Sequence, residues 1–233
     1  NAVPRASKKE ERVIAFAIAF GESLGLATEK DAVGNVLIRK PATAGMENRK
    51  TVVLQSHLDM VHQKNNDTAF DFDTEGIRML VEGDWVHADG TTLGADNGIG
   101  VATIMAILAA TDIAHPALEA LFTIDEETGM TGAKGLQAGF LSGDILLNLD
   151  TEQDDEIDIG CAGGIDVTAR LSYTPEVLEG DFQSFSLTVN GLHGGHSGME
   201  IHKGLGNANK LMNRLLYVAQ AHGARVQQIQ GGG

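Results

Sequence analysis

The feature that most constrains the fold is a series of short apolar runs separated by helical segments and turns. Residues 51–55, 118–124 and 145–149 have the length and the apolar side chains of strands that are buried on both faces. Residues 8–24 and 96–110 carry apolar side chains at the spacing of an amphipathic helix. Strands that alternate with helices predict an α/β fold, in which helices cover both faces of one sheet.

A different pattern begins after residue 164. Residues 165–171 and 182–189 alternate apolar and polar side chains, which predicts strands of a sheet with one solvated face. Residues 207–221 then have the spacing of an amphipathic helix. We therefore expect one domain over residues 1–164 and the beginning of a smaller α+β domain over residues 165–233.

The charge balance excludes several classes of partner. The 233 residues include 32 acidic and 17 basic side chains, a net charge of −15, whereas proteins that bind nucleic acid or anionic membranes need a basic surface. The single cysteine, Cys161, excludes an internal disulfide and a cysteine-ligated zinc site. Because no run approaches the ~18 apolar residues of a membrane span and no signal peptide is recognisable, we expect a cytoplasmic protein.

Histidine and carboxylate side chains follow the predicted strands at the points where the strands end. They are His57 and Asp59, Glu126 and Glu127, and Asp150, while Asp96 begins the predicted helix. Because chemistry in α/β sheets gathers beyond the carboxyl ends of strands, we expect these side chains to lie close together. Any one of them alone is typical of a solvated surface. Together they favour a site for zinc, cobalt or manganese, which bind imidazole and carboxylate ligands.

Two pairs of neighbouring residues suggest a division of roles within such a site. His57 and Asp59 are two residues apart at a strand end, so their side chains leave on the same side and the carboxylate can orient the imidazole. Glu126 and Glu127 are adjacent and point in different directions. One of the two can therefore bind a metal while the other faces an attacking water.

Four motifs, in this order, resemble those of the co-catalytic zinc exopeptidases. The motifs are HLDMV at residues 57–61, GADNG at 94–98, EETG at 126–129 and DTE at 150–152. This family includes aminoacylases, glutamate carboxypeptidases, carnosinases and bacterial dipeptidases. The longer strings GTTLGADNGIG at residues 90–100 and GCAGG at 160–164 are most similar to those of the bacterial dipeptidases.

The resemblance implies a site for two divalent metal ions, with zinc as the first choice and cobalt or manganese as alternatives. It assigns His57 and Asp150 to one metal and Glu127 to the other. Asp96 would bridge both metals, and the peptide bond that follows Asp96 would be cis.

Further roles follow from the same resemblance. Glu126 matches the general base, and Asp59 matches the carboxylate that orients the metal-binding histidine. Residues 194–198 resemble a motif of the family's lid domain, whose histidine reaches the partner's active site in dimeric relatives and supports the oxyanion. His196 occupies that position here. Residues 1–164 would then belong to the catalytic domain, and residues 165–233 would begin a lid domain through which a homodimer forms.

The implied activity is the hydrolysis of small dipeptides, including Xaa-His dipeptides such as carnosine, with broad specificity. A hydroxide held by two metals would attack the scissile carbonyl, and Glu126 would carry the proton to the leaving amine. No covalent intermediate is needed, so we interpret Cys161 as a packed small residue. Two alternatives use the same ligands: an N-acyl amino acid deacylase, and a metal-binding fragment that is catalytically incomplete.

One ligand of the family pattern has no match in this sequence. The family has a further metal-binding histidine after the lid domain, so we expect the chain to be part of a protein about twice as long. The metal on the side of Glu127 would have one protein ligand fewer than the usual three. We therefore expect the chain to bind the metal at His57 and Asp150 more tightly and to be weakly active or inactive by itself.

Overall fold

The computed structural model describes residues 1–151, 153, 155–161, 163–165, 167–195 and 200–231. The chain divides into two compact units, Asn1–Cys161 and Ala162–Gly233. The roles expected for the two parts of the chain, as a catalytic domain and the beginning of a lid domain, stay predictions.

The first unit contains most of the regular secondary structure. Its helices are α1 (Glu11–Ser23), α2 (Ala95–Ala109) and α3 (Thr131–Gly135). Its strands are β1 (Ala27–Lys30), β2 (Val36–Lys40), β3 (Val52–His57), β4 (Met79–Glu82), β5 (Trp85–Ala88), β6 (Leu118–Thr123) and β7 (Ile145–Asn148). Within the described part of the chain, no helix is both long and apolar enough to cross a membrane.

A mixed five-stranded sheet forms the centre of this unit, with the strand order β1-β2-β6-β3-β7. Strand β2 pairs antiparallel with β1 and with β6, whereas β3 pairs parallel with both β6 and β7. The carboxyl ends of β3, β6 and β7 therefore lie at the same edge of the sheet. This arrangement confirms the predicted α/β fold and the three predicted strands that precede the histidine and carboxylate residues. The burial predicted for 145–149 is wrong, since all four residues of edge strand β7 are exposed.

Alternate side chains along the strands point to opposite faces of the sheet and form two separate apolar layers. One layer joins α1 and α2 to the sheet, and its buried members are Val13, Ala17, Val36, Ile38, Leu54, Leu58, Ile104, Leu108, Leu118, Ala120 and Phe122. The other layer contains Leu37, Val53 and Leu121, with the segment after α3 packed against them. Because successive strand residues point to opposite faces, both faces of the sheet are covered, as a buried strand requires.

Two elements of this unit were not predicted from the sequence. Strand β1 adds an exposed antiparallel edge to β2, and strands β4 and β5 form a separate two-stranded hairpin. All four residues of β4 are exposed, so this hairpin does not show the alternation between a buried and a solvated face on which sequence prediction of strands depends.

The second unit confirms the predicted helix but not the predicted strands. Helix α4 (Ala208–Ala221) follows a short 3₁₀ turn at Ile201–Lys203, and the Asn207 side chain caps α4 by accepting from the Lys210 amide. The strands predicted at 165–171 and 182–189 are wrong, since the described residues in both ranges have no regular secondary structure. A strand needs a hydrogen-bonded neighbour, and the alternating pattern alone does not supply one.

Buried Glu119 fixes the loop that leads into β7. The Glu119 carboxylate accepts hydrogen bonds from the Ser142 amide and hydroxyl (2.9 and 2.6 Å) and from the Gly143 amide (3.0 Å), and it lies 3.4 Å from Arg39 Nε. Burial opposes ionisation of this carboxyl. The hydrogen bonds from Ser142, Gly143 and Arg39 outweigh burial, so the pKa of Glu119 is lowered below its ordinary value of 4.5.

We expect Glu119→Gln to lower the free energy of unfolding by about 1–3 kcal/mol at pH 7, because buried donors lose a charged acceptor. A lowered pKa stabilises the fold above pH 4.5, and this contribution is lost as the pH falls through the folded-state pKa. The difference in the free energy of unfolding between the wild-type protein and Glu119→Gln should therefore become smaller at acidic pH. Urea unfolding at a series of pH values measures it, with exposed Glu22→Gln as the control. Equal effects of the two substitutions would contradict the assigned role of Glu119.

Candidate metal centre

Three of the predicted ligands converge at the carboxyl edge of the sheet. His57 ends β3, Asp150 follows β7, and Asp96 lies in the first turn of α2. The Nε2 atom of His57 lies 3.1 Å from Asp96 Oδ1 and 3.8 Å from Asp150 Oδ2. One potential ligand atom from each of the three residues falls within 4.8 Å of the other two, close enough for one cation to contact all three.

The three side chains of this cluster differ in how deeply they are buried. The His57 side chain is fully buried, whereas the side chains of Asp150 and Asp96 are 27% and 54% exposed. The cluster therefore opens to solvent on the side of Asp96. A small substrate or an ion can approach from that side without displacing the core.

Asp59 is fully buried beneath His57 and holds it in place. The Nδ1 atom of His57 lies 3.1 Å from the backbone oxygen of Asp59 and 3.3 Å from its Oδ1 atom. With both of these acceptors beside Nδ1, the ring carries a proton there, and Nε2 is the nitrogen that faces Asp96 and Asp150 and that a cation would bind. The geometry is the one that a metal-binding histidine requires.

The same carboxylate also fixes the loop that carries the two glutamates. Asp59 Oδ1 accepts from the Glu126 amide at 3.0 Å, and Oδ2 accepts from the Glu127 amide at 3.2 Å. The Ser7 hydroxyl donates to Oδ2 at 2.8 Å. Both glutamates are half-buried. One buried carboxylate thus sets the relative position of the histidine and of the loop with the predicted base.

The start of α2 is tied to the end of β7 by Asn97. Its Nδ2 atom donates to the Leu149 carbonyl at 3.0 Å and to Asp150 Oδ1 at 2.8 Å. The peptide bond between Asp96 and Asn97 is cis, as the resemblance implied. The Asn97 side chain therefore orients the carboxylate of Asp150 from the helix that also carries Asp96.

The cluster holds negative charge that has no full counterbalance in the protein. Burial lowers the pKa of His57, but the hydrogen bonds to Asp59 and Asp96 and the charge of Asp150 outweigh it and raise that pKa to about 10. Burial likewise opposes ionisation of Asp59, yet the hydrogen bonds from His57, Glu126 and Ser7 lower its pKa to about 2.

The remaining carboxyl groups show the complementary effect. Burial raises the pKa of Glu126, and the charge of Asp150 raises it further. Burial also raises the pKa of Glu127, and there the charge of Asp96 adds to the effect. The pKa of Asp150 is raised by burial and by the charge of Asp96. Groups that repel one another in this way are stabilised by a bound cation.

The residues present therefore fit a divalent cation. Imidazole nitrogen and carboxylate oxygens are the ligands of zinc and of similar metals, and the pKa shifts report a site that attracts positive charge. Glu127 does not belong to the compact group of His57, Asp96 and Asp150, so its predicted part in a second metal stays a prediction. His196 lies outside the described residues.

Sequence reasoning missed three residues that shape this site. Asn97 lies inside the GADNG motif, next to the predicted ligand, and its position could have drawn attention. Ser7 and Arg5 have no such signal, since they lie 52 and 53 residues before Asp59 and Leu58, which their side chains contact.

A comparison with known protein families matches residues 53–210, which is more than half of the chain, to peptidase family M20/M25/M40. The chain belongs to this peptidase family. The matched residues include the whole cluster at the carboxyl edge of the sheet, so the site described above lies within the region that defines the family.

Individual relatives of the peptidase family agree with this assignment. The cytosol non-specific dipeptidase of Escherichia coli is 55% identical over 92% of this chain and 44% of its own length. The crystal structure of the aminoacylhistidine dipeptidase from Vibrio alginolyticus matches 92% of this chain and 44% of that chain, with a TM-score of 0.69 and 47% identity. Aminopeptidase PepT from Bacillus cereus matches 65% of this chain and 41% of its own, with a TM-score of 0.55 and 25% identity. The chain thus spans less than half the length of these relatives.

Gly100 allows α2 to approach the sheet closely enough to complete the cluster. A Cβ atom at this buried position would come within 3.0 Å of Asn97 Oδ1, Ser56 Oγ and the Leu149 carbonyl oxygen. The Leu149 carbonyl belongs to the backbone and cannot rotate away. Any side chain at residue 100 must therefore move α2, and Asp96 with it, away from His57.

We expect Gly100→Ala to destabilise the fold by about 1–3 kcal/mol through overpacking, although alanine favours a helix by up to about 1 kcal/mol. We also expect weaker binding of Co²⁺, because the start of α2 moves. Urea unfolding and a Co²⁺ titration measure the two effects. Thr103→Ala, at an exposed position of the same helix, is the matched control. If Gly100→Ala bound Co²⁺ as Thr103→Ala does, the close approach of α2 would not matter for the site.

Proposed function

We propose that this chain carries the metal centre of a metal-dependent dipeptidase. The observation that supports this most directly is the cluster of His57, Asp96 and Asp150, linked through buried Asp59 to the loop of Glu126. A structural metal site would not need a half-buried glutamate with a raised pKa beside its ligands. The names of the relatives from Escherichia coli and Vibrio alginolyticus, both dipeptidases, favour peptide hydrolysis over the alternative of an N-acyl amino acid deacylase.

In this proposal His57 and Asp150 would hold one metal, Glu127 would hold a second, and Asp96 would be a ligand of both. Zinc is the proposed native metal, with cobalt and manganese as substitutes, because all three accept nitrogen and carboxylate ligands. The hydrogen bond that His57 donates to Asp59 and the one that Asn97 donates to Asp150 keep two of the ligands in their binding orientation. Metals bound here would polarise the scissile carbonyl and lower the pKa of a bound water.

Glu126 is the proposed general base. Its raised pKa brings the carboxyl nearer to neutral pH, so the same group can accept a proton from the attacking water and return it to the leaving amine. The hydrogen bond from its backbone amide to Asp59 fixes the loop while the side chain stays free to move the proton. The interpretation of Cys161 as a packed residue is wrong, since Cys161 is exposed. The proposed reaction has no covalent intermediate and gives this thiol no role.

The proposed substrates are small dipeptides, including Xaa-His dipeptides such as carnosine. We further propose a cytoplasmic location, because the Escherichia coli relative is a cytosol dipeptidase, and a homodimer in which His196 would reach the partner's active site. The net charge of −15 makes nucleic acid an unfavourable partner.

The chain by itself should hold one metal more tightly than the other. Among the described residues, Glu127 and the shared Asp96 are the only proposed ligands on the second side, whereas His57, Asp96 and Asp150 converge on the first. Isothermal titration with Zn²⁺ should therefore give one tight site and at most one weak site. His57→Ala should abolish the tight site, while His87→Ala, at an exposed histidine of the β4–β5 hairpin, should leave it unchanged. Two equally tight zinc ions per chain would contradict this ligand assignment.

Glu126→Gln should remove peptide hydrolysis but retain metal binding. The amide occupies the same space but cannot accept a proton, so we expect a loss of at least about 100-fold in kcat. The assay uses carnosine, other Xaa-His dipeptides and N-acetyl amino acids at millimolar Co²⁺ or Zn²⁺, which saturates a weak second site by mass action.

Exposed Glu47→Gln is the matched control and should behave as the wild-type protein does. Retention of dipeptide hydrolysis by Glu126→Gln would exclude the proposed base. Hydrolysis of N-acetyl amino acids in preference to dipeptides would instead identify a deacylase with the same metal centre.

A further inference from the structure

The guanidinium of Arg5 lies between the two segments that deliver the metal ligands. Its Nη1 atom donates to the carbonyl oxygens of Leu58 and Asp59, at 3.0 Å each. Its Nη2 atom donates to the carbonyl oxygen of Gly94, at the N-terminal end of α2. One planar group therefore links the segment after His57 to the segment before Asp96.

Arg5 and His57 share an acceptor. The backbone oxygen of Asp59 lies 3.0 Å from Arg5 Nη1 and 3.1 Å from His57 Nδ1. The position of this carbonyl sets the direction of the imidazole ring. Arg5 therefore contacts the histidine ligand through a single oxygen atom, and it contacts the start of the helix that carries the aspartate ligand.

Two glycines of the GADNG motif leave room for this side chain. A Cβ atom at Gly94 or at Gly98 would come within 3.0 Å of Arg5 Nη2. Gly94 also has a φ of +71°, a conformation that favours glycine on its own account. Gly98 has no such backbone requirement. The close approach of Arg5 Nη2 explains why residue 98 is a glycine.

Anchoring of the N-terminal segment does not account for the arginine. The backbone already fixes this segment, since the Ser7 amide donates to the Met60 carbonyl at 3.2 Å and the Met60 amide donates to the Arg5 carbonyl at 3.1 Å. Ala6 and Met60 form a parallel bridge at the same place. Apart from a long contact of 3.4 Å between Nη2 and Asn1 Oδ1, the Arg5 side chain makes its hydrogen bonds to the two ligand-bearing segments.

The chemistry of the side chain also matches a positioning role. Arg5 is buried, it stays charged at any ordinary pH, and its donors form a rigid fork. Asp59, Asp96 and Glu127 lie close enough for their charges to act on it. Burying a cation is costly unless hydrogen bonds and opposite charges compensate for the lost water. The three carbonyl acceptors and the nearby carboxylates compensate here only because the guanidinium is held in this one geometry.

We propose that Arg5 is a positioning residue of the metal centre, which sets the distance between His57 and Asp96 by holding the Leu58–Asp59 and Gly94 carbonyls in one plane. This inference rests on the proposed metal-binding function. Lysine at this position would keep the charge but replace the planar guanidinium with a single ammonium group. The contributions of charge and of geometry can therefore be tested separately.

The test is a Co²⁺ titration of the full chain, followed by the visible absorption bands of the bound ion, whose intensity and position report its coordination geometry. We expect Arg5→Lys to remain folded by circular dichroism, to bind Co²⁺ about 10- to 100-fold more weakly, and to show altered bands. Arg12→Met, at an exposed arginine of α1, is the control and should match the wild-type protein.

Gly98→Ala tests the same contact without removing the arginine, should the Arg5 variant fail to fold. Its Cβ atom would crowd Nη2, so we expect a weaker Co²⁺ affinity and altered bands in a protein that keeps its charge. Wild-type affinity and bands in folded Arg5→Lys, or in Gly98→Ala, would overturn the positioning role. Absence of Co²⁺ binding by the wild-type chain would instead overturn the proposed metal centre itself.

Discussion

The carboxylate of Asp59 is the contact that links the proposed metal ligands to the loop of Glu126 and Glu127. It is fully buried, and its two oxygens lie beside the ring of His57 while they accept the amides of Glu126 and Glu127 and the hydroxyl of Ser7. Four partners compensate for the loss of water around this charge, and they hold its pKa low. A neutral side chain of the same shape would leave buried donors without an acceptor and the imidazole without an orientation.

The rest of the fold holds carboxylates together that repel one another. The parallel strands β3 and β7 bring His57 and Asp150 to one edge, and the close approach of α2 at Gly100 adds Asp96. Burial, together with the charges of neighbouring carboxylates, raises the pKa of Asp150 and of the two glutamates, so this concentration of carboxylates favours a bound cation. The apolar layers on both sides of the sheet stabilise the frame that keeps the groups in place.

Elements with a strong local pattern were predicted, and elements without one were not. Strands β3, β6 and β7 are short apolar runs of strand length, although β7 is exposed rather than buried, and α1, α2 and α4 have helical spacing. The β4–β5 hairpin exposes apolar side chains on both faces and gives no alternating signal. The opposite error occurred at 165–171 and 182–189, where a regular alternation is present without a neighbouring strand to pair with.

The sequence by itself determined which side chains meet at the carboxyl edge of the sheet, because the position of a residue at the end of a strand is set by local chain direction. His57 and Asp150 belong to this class, and so does the loop of Glu126, whereas Asp96 begins α2 and reaches the cluster through the packing of that helix. Only the tertiary structure decided which groups support them. Arg5 contacts Leu58 and Gly94 across 53 and 89 residues, and Asn97 contacts Asp150 across 53. Contacts of this kind depend on how helices pack on the sheet, and no spacing along the chain encodes that packing.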